Sequence, residues 1–134
     1  MKLSALYQIF LDCQSVTTDS RNCPDGSLFI ALKGESFNGN AFAKLALDSG
    51  CAFAIIDEIQ YAVEGDQRYI LVDDCLQTMQ QLANYHRRQL GTRVIGITGT
   101  NGKTTTKELI SSVLCQAHNV LYTLGNLHRS FSNA

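Results

Sequence analysis

Short apolar blocks separated by polar turns fill the first ninety residues, which is the pattern of a small mixed α/β domain. Residues 41–48 predict a helix that stops at Gly50. Apolar positions at helical spacing over residues 76–90 predict a longer helix, and Gly91 ends it. Residues 16–19 and 27–32 have strand-like sequences with a turn between them, and the apolar runs 52–56 and 69–72 predict further, buried strands.

After Gly91 the pattern changes to one strand–loop–helix–strand unit. An apolar run over residues 94–97 predicts a strand, a glycine-rich turn follows, and an amphipathic helix runs from Lys103 to about Ala117. A last apolar run, 120–124, predicts another strand. A parallel nucleotide-binding sheet needs several such units to cover both of its faces. We therefore expect a domain boundary at 91/92 and a chain that is the first part of a longer enzyme.

The glycine-rich turn has the residue types that a bound triphosphate requires. Gly99 and Gly102 allow backbone N–H groups to approach phosphate oxygens, and the helix N-terminus adds partial positive charge. Lys103 supplies a full charge, and the Thr104 hydroxyl can reach Mg²⁺. The general phosphate-loop pattern is shifted, because Ile97 stands where a glycine is usual. The predicted ATP-binding residues here are Gly99, Thr100, Asn101, Gly102, Lys103, Thr104 and Thr105.

Composition and charge exclude several classes of protein. A net charge of −1 gives no electrostatic reason for binding nucleic acid, and no apolar run reaches the roughly 20 residues of a membrane-spanning helix. Tyr7 and Gln8 interrupt the apolar run at the N-terminus, so we predict no targeting segment. Five cysteines without any C-x-x-C pair favour a reducing compartment. We predict a cytoplasmic protein without nucleic-acid binding or membrane insertion.

Three groups of residues resemble the Mur ligases of bacterial cell-wall synthesis. The first comprises Thr18-Asp-Ser-Arg21, then Leu28-Phe-Ile-Ala-Leu-Lys-Gly34 and Phe37-Asn-Gly-Asn-Ala-Phe42, which resemble the uridine-nucleotide module of that family. The second is Gly96-Ile-Thr-Gly-Thr-Asn-Gly-Lys-Thr-Thr105, the form that the phosphate loop takes in the family. The third is Thr123-Leu-Gly-Asn-Leu127, which is similar to the branch that adds D-alanyl-D-alanine.

The resemblance implies an ATP- and Mg²⁺-dependent amide ligase whose other substrates are UDP-MurNAc-tripeptide and D-alanyl-D-alanine. Residues 1–91 would then be a mixed α/β substrate domain, and residues 92–134 the truncated start of a parallel-sheet ATP-binding domain. The family pattern makes Lys103 catalytic, Thr104 the metal ligand and Asn126 a further ATP contact. We expect the complete enzyme to be monomeric and this chain alone to be inactive.

The same resemblance indicates a UDP site in the first domain, with Ser20, Arg21, Lys33, Gly34, Ser36 and Asn40 as its residues. Arg21 can pair with a diphosphate, and Ser20 can donate to an oxygen. The alternative for residues 19–21 is a capped turn with a surface salt bridge. For residues 33–40 it is a plain solvated loop.

Three other functions stay open at this stage. The chain could be only a UDP-sugar-binding module, or it could belong to the Mur enzyme that adds the third peptide residue. It could also resemble the folylpolyglutamate synthases, which share the phosphate-loop form. After Leu127 the sequence departs from the Mur pattern. We predict that His86 packs in the core and that Thr106 and Lys107 lie on the helix surface.

Overall fold

A computed structural model describes residues 1–123 and divides the chain into two compact units, Met1–Gly91 and a second that begins at Thr92. The first unit contains three α-helices and four strands, together with 3₁₀ helices at Gly39–Phe42 and Ile59–Tyr61. In chain order these are α1 Leu3–Asp12, β1 Val16–Thr17, β2 Leu28–Ile30, α2 Ala43–Asp48, β3 Phe53–Ile56, β4 Tyr69–Leu71 and α3 Cys75–Leu90.

The strands form one parallel sheet in the order β1-β2-β3-β4. Leu28 of β2 pairs with Val16 on one side and with Phe53 on the other, while Ile55 of β3 pairs with Ile70 of β4. Every residue of β2 is buried, as are the last three of β3. This explains why both strands are uninterrupted apolar runs, since parallel strands covered on two faces have no polar side. The α/β class predicted from the sequence is confirmed.

The helices cover the sheet through apolar and aromatic contacts. Helix α2 packs against β2 and β3, and α1 packs against α3. Between α1 and α3, the Tyr7 hydroxyl lies 3.0 Å from Nδ1 of His86, and the ring of Phe10 meets the imidazole edge-on. His86 is therefore a packing residue, as predicted.

Helix α1 is absent from the sequence-based prediction, although its apolar positions follow helical spacing. Leu3, Leu6, Tyr7 and Phe10 recur at intervals of three and four residues. No side chain caps the N-terminus of this ten-residue helix, and an isolated helix of that length is marginal in water. Its stability comes from burying Leu6 and Tyr7 against the rest of the unit.

The other predicted elements of the first unit form with small changes of length. Helix α3 starts at Cys75, one residue early, because the Asp74 side chain caps it by accepting the N–H of Gln77 at 2.7 Å. Gly91 ends the helix with a φ of 63°. The strands are one to three residues shorter than predicted.

In the second unit only the helix prediction is confirmed: α4 spans Lys103–Leu114. The strand predicted at 94–97 is wrong, and residues 120–123 of the predicted final strand are not a strand either. Parallel strands exist through hydrogen bonds to neighbouring strands, and neither segment is paired within residues 1–123. Leu124 lies outside the described residues. Among the helices of residues 1–123, none is long and apolar enough to cross a bilayer.

Candidate functional site

The carboxyl ends of the four parallel strands lie along one edge of the sheet, and three polar segments follow them there. Residues 19–21 come after β1, residues 33–40 after β2, and residues 57–58 after β3. Ligands of open parallel sheets bind at this edge. The fold therefore places all six residues of the predicted UDP site on the same edge of the first unit.

The turn after β1 is held by its own side chains. The Thr17 hydroxyl donates to the carbonyl oxygen of Asn22 at 2.9 Å and accepts the N–H of Asp19 at 3.2 Å. From the other end, the Cys23 thiol lies 3.4 Å from the carbonyl oxygen of Ser20. The Ser20 backbone is thus fixed at the sheet edge, and its hydroxyl has no hydrogen-bond partner among residues 1–123.

Arg21 forms a bidentate ion pair with Asp19 on this turn. Its Nε and Nη2 atoms each lie 2.9 Å from a carboxylate oxygen, and its side chain is 87% exposed. Hydrogen bonds from Arg21 hold the pKa of Asp19 below its ordinary value. The turn therefore has the cap and the surface salt bridge that the sequence offered as the alternative to a UDP-binding role for residues 19–21. The guanidinium still has N–H donors that face solvent, because Asp19 engages only part of its five.

The segment after β2 is a tight hairpin. Lys33 and Asn38 form an antiparallel bridge, and the Gly34 N–H donates to the carbonyl oxygen of Phe37 at 2.9 Å. The Phe37 ring covers Gly34 so closely that an added Cβ would lie 2.3 Å from a ring carbon. Ser36 is exposed at the tip. The hairpin is therefore an ordered structure rather than the plain solvated loop considered as its alternative.

Asn40 lies inside the protein instead of on the hairpin surface. It is 1% exposed, and its amide nitrogen donates to Asn38 and Asp57, each at 2.9 Å. Its amide oxygen accepts the N–H of Asp57 at 3.0 Å. Asn40 thus joins the end of the hairpin to the end of β3, and its role as a direct UDP contact stays a prediction.

Lys33 is also engaged within the protein. Its ammonium nitrogen lies 3.0 Å from a carboxylate oxygen of Asp57 and 3.1 Å from one of Glu58. Sequence reasoning missed both acids, and also Asn38, whose amide donates to Glu58. The available signal was their position: both acids directly follow a buried parallel strand, where polar side chains gather at the sheet edge.

The pKa of the Asp57 carboxyl lies below its ordinary value. Burial raises the pKa of this carboxyl, but hydrogen bonds from the Cys75 N–H, Lys33 and Asn40 together outweigh burial and lower it below the ordinary value of 3.8. The folded state therefore binds the Asp57 proton more weakly than the unfolded state does. Its contribution to stability is present above about pH 4 and is lost as the pH falls through the lower folded value.

We expect the free energy of unfolding of residues 1–91 to depend less steeply on pH below about 4 in Asp57→Asn than in the wild type. Urea unfolding followed through the NMR amide signals of these residues, from pH 7 to pH 2.5, tests this. The variant should be less stable at pH 7, and the two curves should converge in acid. Parallel curves would show that Asp57 does not contribute to the acid sensitivity.

In the second unit the predicted phosphate loop leads directly into α4. Gly99 and Gly102 adopt φ angles of +145° and +73°, which favour glycine. Apart from Gly102 and its two chain neighbours, none of residues 1–123 has an atom within 4 Å of where a Gly102 Cβ would stand, and Thr100 and Asn101 are exposed. The backbone at the N-terminus of this twelve-residue helix is therefore open to a ligand, which is the geometry that phosphate requires.

Side chains with the required charge and hydroxyl groups stand in the first turn of α4. Lys103 is half-buried, and its ammonium has no ion-pair partner in the part of the chain that the structure describes. Thr104 and Thr105 are exposed beside it. These residues fit a triphosphate with its divalent cation. Asn126, the other predicted ATP contact, lies outside the described residues.

Lys107 is not on the helix surface, contrary to the prediction, whereas Thr106 is exposed as expected. The Lys107 side chain is only 14% exposed, and its ammonium donates to the carbonyl oxygen of Thr123 at 2.6 Å. It also lies 5.9 Å from the centre of the Tyr122 ring. Residues 122–123 fold over this face of α4, and helical spacing alone does not reveal such a cover.

Two family models match the chain. One, described as "Mur ligase family, catalytic domain", matches residues 12–87, and the other, "Mur ligase middle domain", matches residues 97–134. Between them these matches include every residue of the two sites described above.

Individual relatives agree with the family models. The chain is 45% identical over 113 residues to the UDP-N-acetylmuramoyl-tripeptide--D-alanyl-D-alanine ligase of Bacillus subtilis, covering 84% of the chain and 25% of that relative. It is 37% identical over 107 residues to the UDP-N-acetylmuramoyl-L-alanyl-D-glutamate--2,6-diaminopimelate ligase of Chlorobium phaeobacteroides, covering 78% of the chain and 21% of that relative. The chain thus spans about a quarter of the length of the curated relatives it matches.

A solved structure shows the same fold. The MurF ligase from Thermotoga maritima, crystallised in complex with ADP, superposes with a TM-score of 0.80 at 30% sequence identity. The likeness covers 91% of this chain and 28% of that one.

Proposed function

Because the chain belongs to the Mur ligase family, we propose that the complete protein is the ATP-dependent ligase that joins D-alanyl-D-alanine to UDP-MurNAc-tripeptide. The observation that carries this proposal is the identity to the Bacillus subtilis ligase, which extends over most of the chain. Such an enzyme makes a precursor of the bacterial cell wall and uses substrates of the cytoplasm. We propose that location for it, and a monomeric state.

The first chemical step explains the charge at the N-terminus of α4. A carboxylate of the tripeptide attacks the γ-phosphorus of ATP, the bond to the β-phosphate oxygen breaks, and an acyl phosphate and ADP result. Two anions must meet, so positive groups have to offset their repulsion. Lys103 neutralises the β- and γ-phosphates, and the backbone N–H groups from Gly99 to Thr105 cradle the oxygens. A Mg²⁺ ion held by Thr104 supplies further positive charge when bound.

In the second step the amine of D-alanyl-D-alanine attacks the acyl carbon through a tetrahedral intermediate. The carbon–oxygen bond to phosphate breaks, phosphate leaves, and the amine loses a proton. The role that we assign to the first unit is to hold the UDP end of the substrate, away from the reacting carboxylate. Its proposed contacts are Ser20, Arg21, Lys33, Gly34, Ser36 and Asn40.

An NMR titration of the 134-residue chain tests this assignment, with UDP-MurNAc-tripeptide and Mg-ATP added separately. We expect the UDP ligand to shift amide signals of residues 19–21 and 33–40 in a saturable way. Mg-ATP should shift those of residues 99–105. A folded chain that does not respond to the UDP ligand would contradict the proposed substrate.

Arg21→Ala should weaken binding of UDP-MurNAc-tripeptide by about tenfold and leave Mg-ATP binding unchanged, because a charge-assisted contact to a diphosphate is lost. Titration calorimetry on the 134-residue chain measures both affinities. Equal weakening of the two ligands would assign Arg21 a structural role.

The chain contains a matched control for this variant. Arg68 pairs with Asp66 through the same two-residue spacing, at 2.9 and 2.6 Å, but it precedes β4 and so stands at the opposite edge of the sheet. Arg68→Ala removes an equivalent surface ion pair and should change neither affinity.

A second candidate function is the ligase that adds diaminopimelate, which the Chlorobium relative represents. The two reactions differ in both the acceptor peptide and the incoming amine. Phosphate release by the complete enzyme with UDP-MurNAc-tripeptide and D-alanyl-D-alanine, but not with UDP-MurNAc-dipeptide and diaminopimelate, supports the first. The reverse pattern supports the second.

A further inference from the structure

Asp57 directly follows β3, at the edge of the sheet where the carboxyl ends of the four parallel strands lie. Its side chain is only 5% exposed, and it accepts hydrogen bonds from three separate elements. The donors are Lys33 Nζ at 3.0 Å, Asn40 Nδ2 at 2.9 Å and the backbone N–H of Cys75 at 3.1 Å. A single carboxylate thus joins both ends of the hairpin region to the first residue of α3.

A buried carboxylate requires this number of partners. An ionised carboxyl accepts but does not donate, and removal from water is costly unless its lone pairs are used. In Asp57 the Oδ1 atom accepts from Lys33 and Asn40, while Oδ2 accepts from Cys75. Loss of the carboxylate would leave the Asn40 amide and the Cys75 N–H without this partner.

Glu58 extends the same arrangement toward the hairpin tip. Its carboxylate accepts from Lys33 at 3.1 Å and from Asn38 at 3.1 and 3.2 Å, the two residues that form the hairpin bridge. Lys33 therefore faces two carboxylates. Together the three side chains carry a net charge of −1, so the charge of Lys33 is already offset by its neighbours in the protein.

We propose that Asp57 is a positioning residue for substrate binding: it holds the hairpin of residues 33–40 in the shape that receives the UDP end of the substrate. This inference rests on the proposed function. Lys33 and Asn40 act within it mainly by anchoring the two ends of the hairpin to Asp57. Because both anchors fix the hairpin backbone, the exposed groups between them, among them the Ser36 hydroxyl, are already in position when the ligand binds.

The test uses Asp57→Asn in the 134-residue chain. An asparagine keeps the shape of the side chain, but its NH₂ group faces either Cys75 or the Lys33–Asn40 pair, which are all donors. We expect a folded protein in which ligand-free amide signals change at residues 33–40 and 75. Its affinity for UDP-MurNAc-tripeptide should fall by about tenfold or more, with Mg-ATP binding unchanged.

Asp73→Asn is the matched control, because Asp73 is an exposed acid that follows β4 at the same edge of the sheet. It should bind UDP-MurNAc-tripeptide like the wild type. If Asp57→Asn also binds within about twofold of the wild type, the positioning role is refuted and the proposed function stands. If the wild-type chain does not bind UDP-MurNAc-tripeptide, the result contradicts the proposed function itself, and with it the positioning role that rests on it.

Lys33→Met provides a second test that does not depend on the folding of Asp57→Asn. The Lys33 side chain is 47% exposed, and its loss leaves the Asn40 and Cys75 bonds to Asp57 in place. If Lys33 anchors the hairpin, amide hydrogen exchange at residues 34–38 should become faster in the ligand-free protein. Unchanged exchange would show that Lys33 serves only as a ligand contact, and would overturn the anchoring role.

Discussion

Replacing Lys103 by alanine in the complete enzyme is expected to reduce turnover at least about a thousandfold, or ~4 kcal/mol of transition-state stabilisation, with the fold intact. Lys103 stands in the first turn of α4, and its ammonium has no ion-pair partner within residues 1–123. Its removal therefore breaks no salt bridge that the described structure needs. The step that should slow is phosphoryl transfer, because negative charge accumulates there and Lys103 no longer offsets it.

The measurement is phosphate release under saturating UDP-MurNAc-tripeptide, D-alanyl-D-alanine and Mg-ATP, together with thermal unfolding. Lys44→Ala is the control, because Lys44 forms only an exposed ion pair with Asp48 on α2. It should retain turnover and stability close to those of the wild type. Retention of turnover within a few-fold by Lys103→Ala would refute the assignment of the ATP site.

The second large effect is expected from Gly39→Ala, at the end of the hairpin. A Cβ added there would lie 2.4 Å from the carbonyl oxygen of Leu32 and 2.8 Å from its backbone nitrogen. The Gly39 N–H donates to that same carbonyl at 2.9 Å, so neither backbone segment can move away without losing the bond. We expect a loss of about 1–3 kcal/mol in the free energy of unfolding and weaker binding of UDP-MurNAc-tripeptide.

Gly34→Ala is the matched comparison within the same hairpin. Its Cβ would also be crowded, at 2.3 Å, but by the ring of Phe37, which is 56% exposed and can rotate aside. Its stability should stay within about 0.5 kcal/mol of the wild type. Urea unfolding followed by the NMR amide signals of residues 1–91 compares the two. Equal stability of both variants would show that the backbone at Gly39 yields as readily as a side chain.

Features that depend on neighbours in the chain were predictable from the sequence. The turn before α4 is an example, since Gly99 and Gly102 adopt the positive φ angles that favour glycine and the helix begins at Lys103. The end of α3 is another, because Gly91 adopts the left-handed conformation that stops a helix. Strands β2 and β3 were found as apolar runs, since burial on both faces leaves no polar position in either.

Features that depend on distant segments were missed or wrong. The predicted strand at 94–97 is not formed in the described structure, because a strand needs a paired neighbour. Lys107 follows the spacing of a surface position, yet residues 122–123 cover it. Helix α1 is too short to be stable alone, and its contacts with α3 come from more than sixty residues further along the chain.

The kinds of side chain in both proposed sites could thus be recognised from the sequence alone. Phosphate and uridine are bound by the same chemical groups whatever fold surrounds them. Which of these groups face a ligand and which hold the structure was decided by the tertiary fold. Asn40 and Lys33 read as ligand contacts in the sequence, but both are bonded to Asp57, 17 residues beyond Asn40. The parallel sheet brings them together, because it places the carboxyl ends of β2 and β3 side by side and so gives the buried Asp57 carboxylate the donors it requires.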